Sequence, residues 1–162
     1  MLAALKTLFA EFSVAGGTTP ASTDQRQLQL AVAALLHEMT RVDASHSERE
    51  QERAAQALVA MFGLPEVEAM ALLAEAGAQR LTSYFDPASI IKRMLSIEQR
   101  FTLVENLWQV ALADKDLHIY EDQFVRKIAH LIYVPNTQCM LARKRARTLA
   151  DADDGNPLRQ DQ

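Results

Sequence analysis

The chain has 162 residues, 49% of them hydrophobic and 23% charged, with only five glycines and five prolines, a composition that suits one globular domain with a sizeable core and excludes a largely disordered chain. Seventeen basic and 21 acidic residues leave a net charge of -4, so no overall positive field draws it to phosphate backbones and nucleic acid is not an expected partner. One cysteine, Cys139, excludes an internal disulfide or a multi-cysteine metal site and suits a reducing compartment, with the cytoplasm as the expected location.

Residues 1–22 read as an N-terminal amphipathic helix and a linker. Leu2, Leu5, Leu8, Phe9 and Phe12 recur at helical spacing, and the segment from Ser13 to Ser22 is rich in Gly, Thr and Pro. About a dozen apolar residues are too few for a membrane span, which needs roughly 20, and the absence of a basic start argues against a signal peptide. Docking on the protein's own body is the favoured role. Peripheral membrane contact through residues 1–12 is less so, because Lys6 is the only basic residue there.

Residues 23–150 form the expected helical domain. From Asp24 to Val42 the set Leu28, Val32, Leu35, Leu36, Met39 and Val42 follows a 3.6-residue period and predicts a long central helix. Ser47 with Glu50 has capping-box spacing and opens a helix carrying Ala54, Leu58, Met61 and Phe62, which Gly63 closes. Pro65 starts the next helix, running to about Thr82 with Val67, Met70, Leu73 and Leu81 as its apolar stripe. Asp86-Pro87 opens a short helix through Ile90, Ile91 and Met94. Ser96 with Gln99 caps a long one to Ala113, whose apolar face comprises Ile97, Phe101, Val104, Leu107, Trp108 and Ala111. Helices from Tyr120 to Tyr133 and from Pro135 to Leu149 complete the domain. Residues 151–162 read as a disordered tail. No stretch alternates as a strand does.

The expected fold is therefore an all-α compact bundle of about seven to eight helices. It contains an internal duplicated helical hairpin. A constant shift pairs Val32 with Leu103, Leu36 with Leu107, Met39 with Val110, Asp43 with Asp114, Glu50 with Glu121, Ala54 with Val125 and Met61 with Ile132, whereas Leu58 fits Ile128 better after a one-residue slip. Each copy reads as a long helix, an aspartate at its end, a polar corner, a glutamate in the next helix's first turn, and a second amphipathic helix. One hairpin cannot bury both apolar faces, and a second copy can cover the first.

The run from Trp108 through Asp114 to Glu121 and Asp122, followed by Arg126 to Pro135, resembles the TerB-like family associated with tellurite resistance. His37 to Asp43 and on to Glu50 resembles that family's N-terminal half, and the likeness covers roughly residues 24–149. It implies a compact all-α fold, a bacterial stress-associated role and divalent-cation binding at acidic corners, with no settled enzymatic activity. This chain departs from the family pattern in having Asp43-Ala44 and Asp114-Lys115 where many relatives have Asp-Gly, so its corners turn without glycine's freedom.

On residues alone, Asp114, Asp116, Glu121 and Asp122 give the better candidate metal site, since hard oxygen donors around one turn suit Ca²⁺ or Mg²⁺. Asp43 and Glu50 mark a weaker counterpart, where His46 and Arg49 interrupt the acids. The competing reading is that acids in a first helical turn serve only the exposed N–H groups and the helix dipole. An EF-hand is excluded, because Ile119 and Val125 stand where its loop needs Gly and a bidentate Glu, so any affinity is expected to be weak. His37-Glu38 begins like a zinc-protease motif, but Arg41 replaces the second His. Cys139 reads as a core residue, and Arg143, Lys144, Arg145 and Arg147 as a solvated helix end. With no phosphate loop or nucleophile elbow, the expectation is a non-enzymatic binding module with a protein partner and a possible homo-oligomeric state.

Overall fold

The computed structural model describes residues 19–41, 47–79, 86–113, 117 and 119–154, with the side chains of 23–152 among these. Seven helices are present in that set and no strand: α1 Thr19–Met39, α2 Glu48–Phe62, α3 Glu66–Gln79, α4 Pro87–Met94, α5 Ile97–Ala111, α6 Ile119–Leu131 and α7 Asn136–Asp154. The all-α expectation holds. Two boundaries move outward: α1 takes in residues 19–22, expected as linker, and α7 runs to Asp154, four residues into the expected tail. Residues 1–18 and 155–162 lie outside the described set.

Local chemistry explains several helix ends. Asp86 caps α4, accepting from the Ser89 backbone N–H at 3.3 Å and from its hydroxyl at 2.6 Å. These bonds hold its carboxyl below the usual aspartate range. At the start of α5, Ser96 Oγ accepts from Gln99 N at 3.2 Å while Gln99 Oε1 accepts from Ser96 N at 2.9 Å, the reciprocal capping box its spacing predicts. Ser47 does not repeat this. It occupies the cap position of α2, yet its side chain makes no capping hydrogen bond, which corrects the expected Ser47–Glu50 box.

The centre is built on α1 and α5. Every residue from Leu28 to Leu36 is buried, so α1 is enclosed all round. α2, α3, α4, α5 and α6 all pack on it. α5 buries Leu103, Val104, Asn106, Leu107, Trp108, Val110 and Ala111, although Ile97, expected on its apolar face, is exposed at its first turn. α2 and α3 meet at 111°, and no single described helix is long and apolar enough to cross a membrane.

The packing falls into matching sets. α3 makes its most extensive contact with α1, and α7 with α5; α2 also touches α5, and α6 touches α1. The residues paired along the sequence share their burial: Val32 with Leu103, Leu36 with Leu107, Met39 with Val110, Ala54 with Val125 and Met61 with Ile132 are all inside. A shift one residue smaller relates the third helices. Gly63 leaves α2 at φ 66°, and Tyr133 leaves α6 at φ 60°; Pro65 and Pro135 follow two residues later, each carbonyl accepting the first backbone hydrogen bond of the next helix, from the N–H of Ala69 at 3.0 Å and of Cys139 at 2.9 Å. Buried Ala69, Leu72 and Ala76 of α3 then correspond to buried Cys139, Ala142 and Ala146 of α7. The likeness of burial and of helix exits thus runs on into α3 and α7, beyond the hairpin expected from the sequence.

In α3 the expected stripe is corrected. Val67 is 81% and Met70 42% exposed, while Ala69, Leu72, Leu73 and Ala76 face the core. Of the expected stripe's described residues only Leu73 is inside: the buried set keeps the helical period and faces α1, and Val67 and Met70 fall on the opposite side.

Candidate functional site

Glu50 and Glu121 both occupy the third position of their helices, α2 and α6. They are 2% and 1% exposed. The cause is register: in α2, Glu50 stands in line with buried Ala54 and Leu58, and in α6 Glu121 stands in line with buried Val125 and Ala129, each spaced by four residues and so on one face. A carboxylate withdrawn from water needs compensation. The exposed N–H groups and positive end of the helix supply part of it, and both glutamates engage polar partners in the structure.

These buried acids adjoin the corners that carry the other candidate ligands. Asp43, Asp114 and Asp116 lie outside the described residues, as does His118. Among the described residues no three His, Cys, Asp or Glu side chains gather as a metal cluster. Of the six candidate ligands the structure therefore places three, and it puts them to different uses.

Asp122, unlike Glu121 beside it, is tied to cations. Arg126 Nε donates to Asp122 Oδ2 at 2.6 Å, and Arg143 Nη1 approaches Asp122 Oδ1 at 3.3 Å. The Arg143 guanidinium also lies 5.4 Å from the Trp108 ring centre, and Trp108 Nε1 donates to the Cys139 carbonyl at 3.1 Å. This chain of contacts joins α5, α6 and α7, with Asp122 as a strut. One half of it, the Asp122–Arg126 pair, joins residues four apart on one helix face; the other half needs the tertiary position of α7.

The basic cluster is likewise not a helix end. α7 continues beyond it, with Arg145 stacked 5.4 Å from the Phe101 ring centre and 3.9 Å from Glu105 Oε2. Two of its four cations are thereby laid along α5, their stems covering apolar surface. Burial raises the Glu105 carboxyl above the usual glutamate range, against the opposing pull of Arg145.

Cys139 is buried, and burial pushes its thiol upward, away from a reactive thiolate. An open groove of about 340 Å³ lies beside it, lined by Arg126, His130, Tyr133 and Asn136 among others, with no carboxylate in its wall. His37 packs its ring against α3, where a Cβ added to Gly77 would stand 2.7 Å from Nε2. Gly77 is in mid-helix because the ring takes the space of a side chain.

An all-helical chain that buries a first-turn glutamate in each of α2 and α6 is the class these features define. The family model for tellurite resistance protein TerB matches residues 29–144, a span that runs from α1 into α7 and takes in both corners. The chain belongs to the TerB tellurite resistance family. Comparison with curated proteins and with solved structures finds no match.

Proposed function

We propose that this TerB-family protein is a non-enzymatic, cytoplasmic, stress-associated binding module that holds a divalent cation at an acidic corner and presents a helical surface to a protein partner. The observation that carries the proposal is the matched burial of Glu50 and Glu121 in the helices that follow, in sequence, the acidic stretches with Asp43 and with Asp114 and Asp116. A carboxylate held out of water beside further acids is costly as a set of like charges, and a hard cation relieves that cost. The second corner is the principal site, with Asp114, Asp116 and Glu121 as its oxygen donors. Asp43 and Glu50 form the weaker counterpart.

Asp122 favours a second reading, in which the acids are purely structural. Its carboxylate already serves Arg126 and Arg143, and first-turn acids stabilise a helix without metal. The two readings part in a thermal melt. At about a hundred times its dissociation constant, Ca²⁺ or Mg²⁺ should stabilise the fold by about 2.7 kcal/mol, and Asp114→Ala should abolish that gain. A melt unmoved by millimolar cation, with Asp114→Ala behaving as wild type, rejects the cation reading; in the structural reading Asp114→Ala costs stability but removes no cation effect.

A further inference from the structure

The outward face of α3 is apolar along its length. Val67, Met70, Ala71, Ala74 and Ala78 are all exposed, and at about 100° per residue they fall within one narrow stripe. Glu68 and Glu75 border one edge, and Glu75 is ion-paired to Arg26 of α1. A helix that already buries Ala69, Leu72, Leu73 and Ala76 on its inner side thus carries a second apolar face with nothing described upon it.

We propose that the chain's own residues 2–12 cover this stripe. These residues precede the described part of the chain and repeat Leu2, Leu5, Leu8, Phe9 and Phe12 at helical spacing, a face of matching width. As a helix they extend about 15 Å, against about 17 Å from Val67 to Ala78. Residues 13–18 form the connection to α1 and reach at most about 20 Å. The Arg26–Glu75 pair ties the first part of α1 to the C-terminal half of α3, and Thr19 lies only about 10 Å upstream of Arg26 along α1. The tether is therefore long enough. Lys6, the one basic residue of the segment, borders its apolar face as Glu68 and Glu75 border the stripe. Alanines at 71, 74 and 78 admit close approach, and Val67 and Met70 offer the segment's leucines a sulfur and methyl surface.

Hydrogen exchange on the full-length chain tests this. Residues 2–12 should exchange at least tenfold more slowly than an unstructured segment, and the protection should disappear in both Met70→Asp and Phe9→Asp, with the double variant no worse than either. Met70 is at the surface, so Met70→Asp should keep the wild-type helical signal; Val67→Asp provides a second variant at the same face. Absent protection, or protection that survives both α3 substitutions, overturns the proposal. So does protection that fades on dilution with a fall in sedimentation mass, which assigns the stripe to a second copy, or protection that arises only with anionic lipid vesicles.

Discussion

His37 and Trp108 occupy corresponding places on the two central helices, and each latches its helix to the third helix of its own unit by different chemistry. His37 fills the hollow left by Gly77, whereas Trp108 is fully buried, donates to the Cys139 carbonyl and receives Arg143 on its face. The backbone plan is shared: a buried first-turn glutamate, a left-handed exit, and a proline two residues on. What differs is the fastening, so the second unit combines aromatic burial and guanidinium stacking where the first relies on close helix approach. Stability should therefore be distributed unevenly between two similar frameworks.

The largest expected effect is at Trp108. Trp108→Ala should cost about 3–5 kcal/mol, read by denaturant unfolding, while His37→Ala, at a partly exposed site, should cost about 1 kcal/mol. Equal losses would break the asymmetry. Next come the two glutamates, where the units should agree. Glu50→Gln and Glu121→Gln each introduce donors into a buried acceptor site and should each cost about 1–3 kcal/mol in the same assay; a loss at one with none at the other would show that the matched burial does not reflect matched roles.

The helix exits should respond with opposite signs. Gly63 stands at φ 66° with open space around its missing Cβ, so Gly63→Ala should destabilise by about 1 kcal/mol through backbone strain alone. Tyr133 already bears such strain at φ 60° and is mostly exposed. Tyr133→Gly should be neutral or stabilising by up to about 1 kcal/mol, the relief being offset by loss of the Lys92 contact 4.8 Å from its ring centre. The smallest effect concerns Glu105, whose counterpart in α1 is the buried Ala34. Its carboxyl is raised by burial, so ionisation opposes folding: its relative contribution is fullest below the unfolded glutamate value near 4.5 and declines as pH rises through the higher folded value. Glu105→Gln should raise the melting temperature at pH 7, and the gain should vanish in melts below pH 4.

Much of the fold was legible because period and caps coincide. The Asp86 and Ser96 starts and the Gly63 stop are all carried by local residues. The stripe on α3 was misread at Val67 and Met70 because both faces of that helix are apolar, and periodicity alone does not say which of them meets α1. The left-handed exit at Tyr133 was illegible, since no turn residue marks it, and with it went the third helix of the correspondence. At the site, Glu50 and Glu121 were legible as acids in first turns but their burial was not, because a charge in a string says nothing of what covers it. The tie of Asp122 to Arg143 depends on how α6 and α7 meet in space.

Calorimetric titration with Ca²⁺ and Mg²⁺ tests the central claim most directly, because it counts sites as well as detecting them. The account predicts weak binding with a principal site that disappears in the Asp114→Ala, Asp116→Ala double variant and persists in Asp43→Ala. Absence of cation binding at millimolar concentration, or binding that survives loss of both second-corner aspartates, would contradict it.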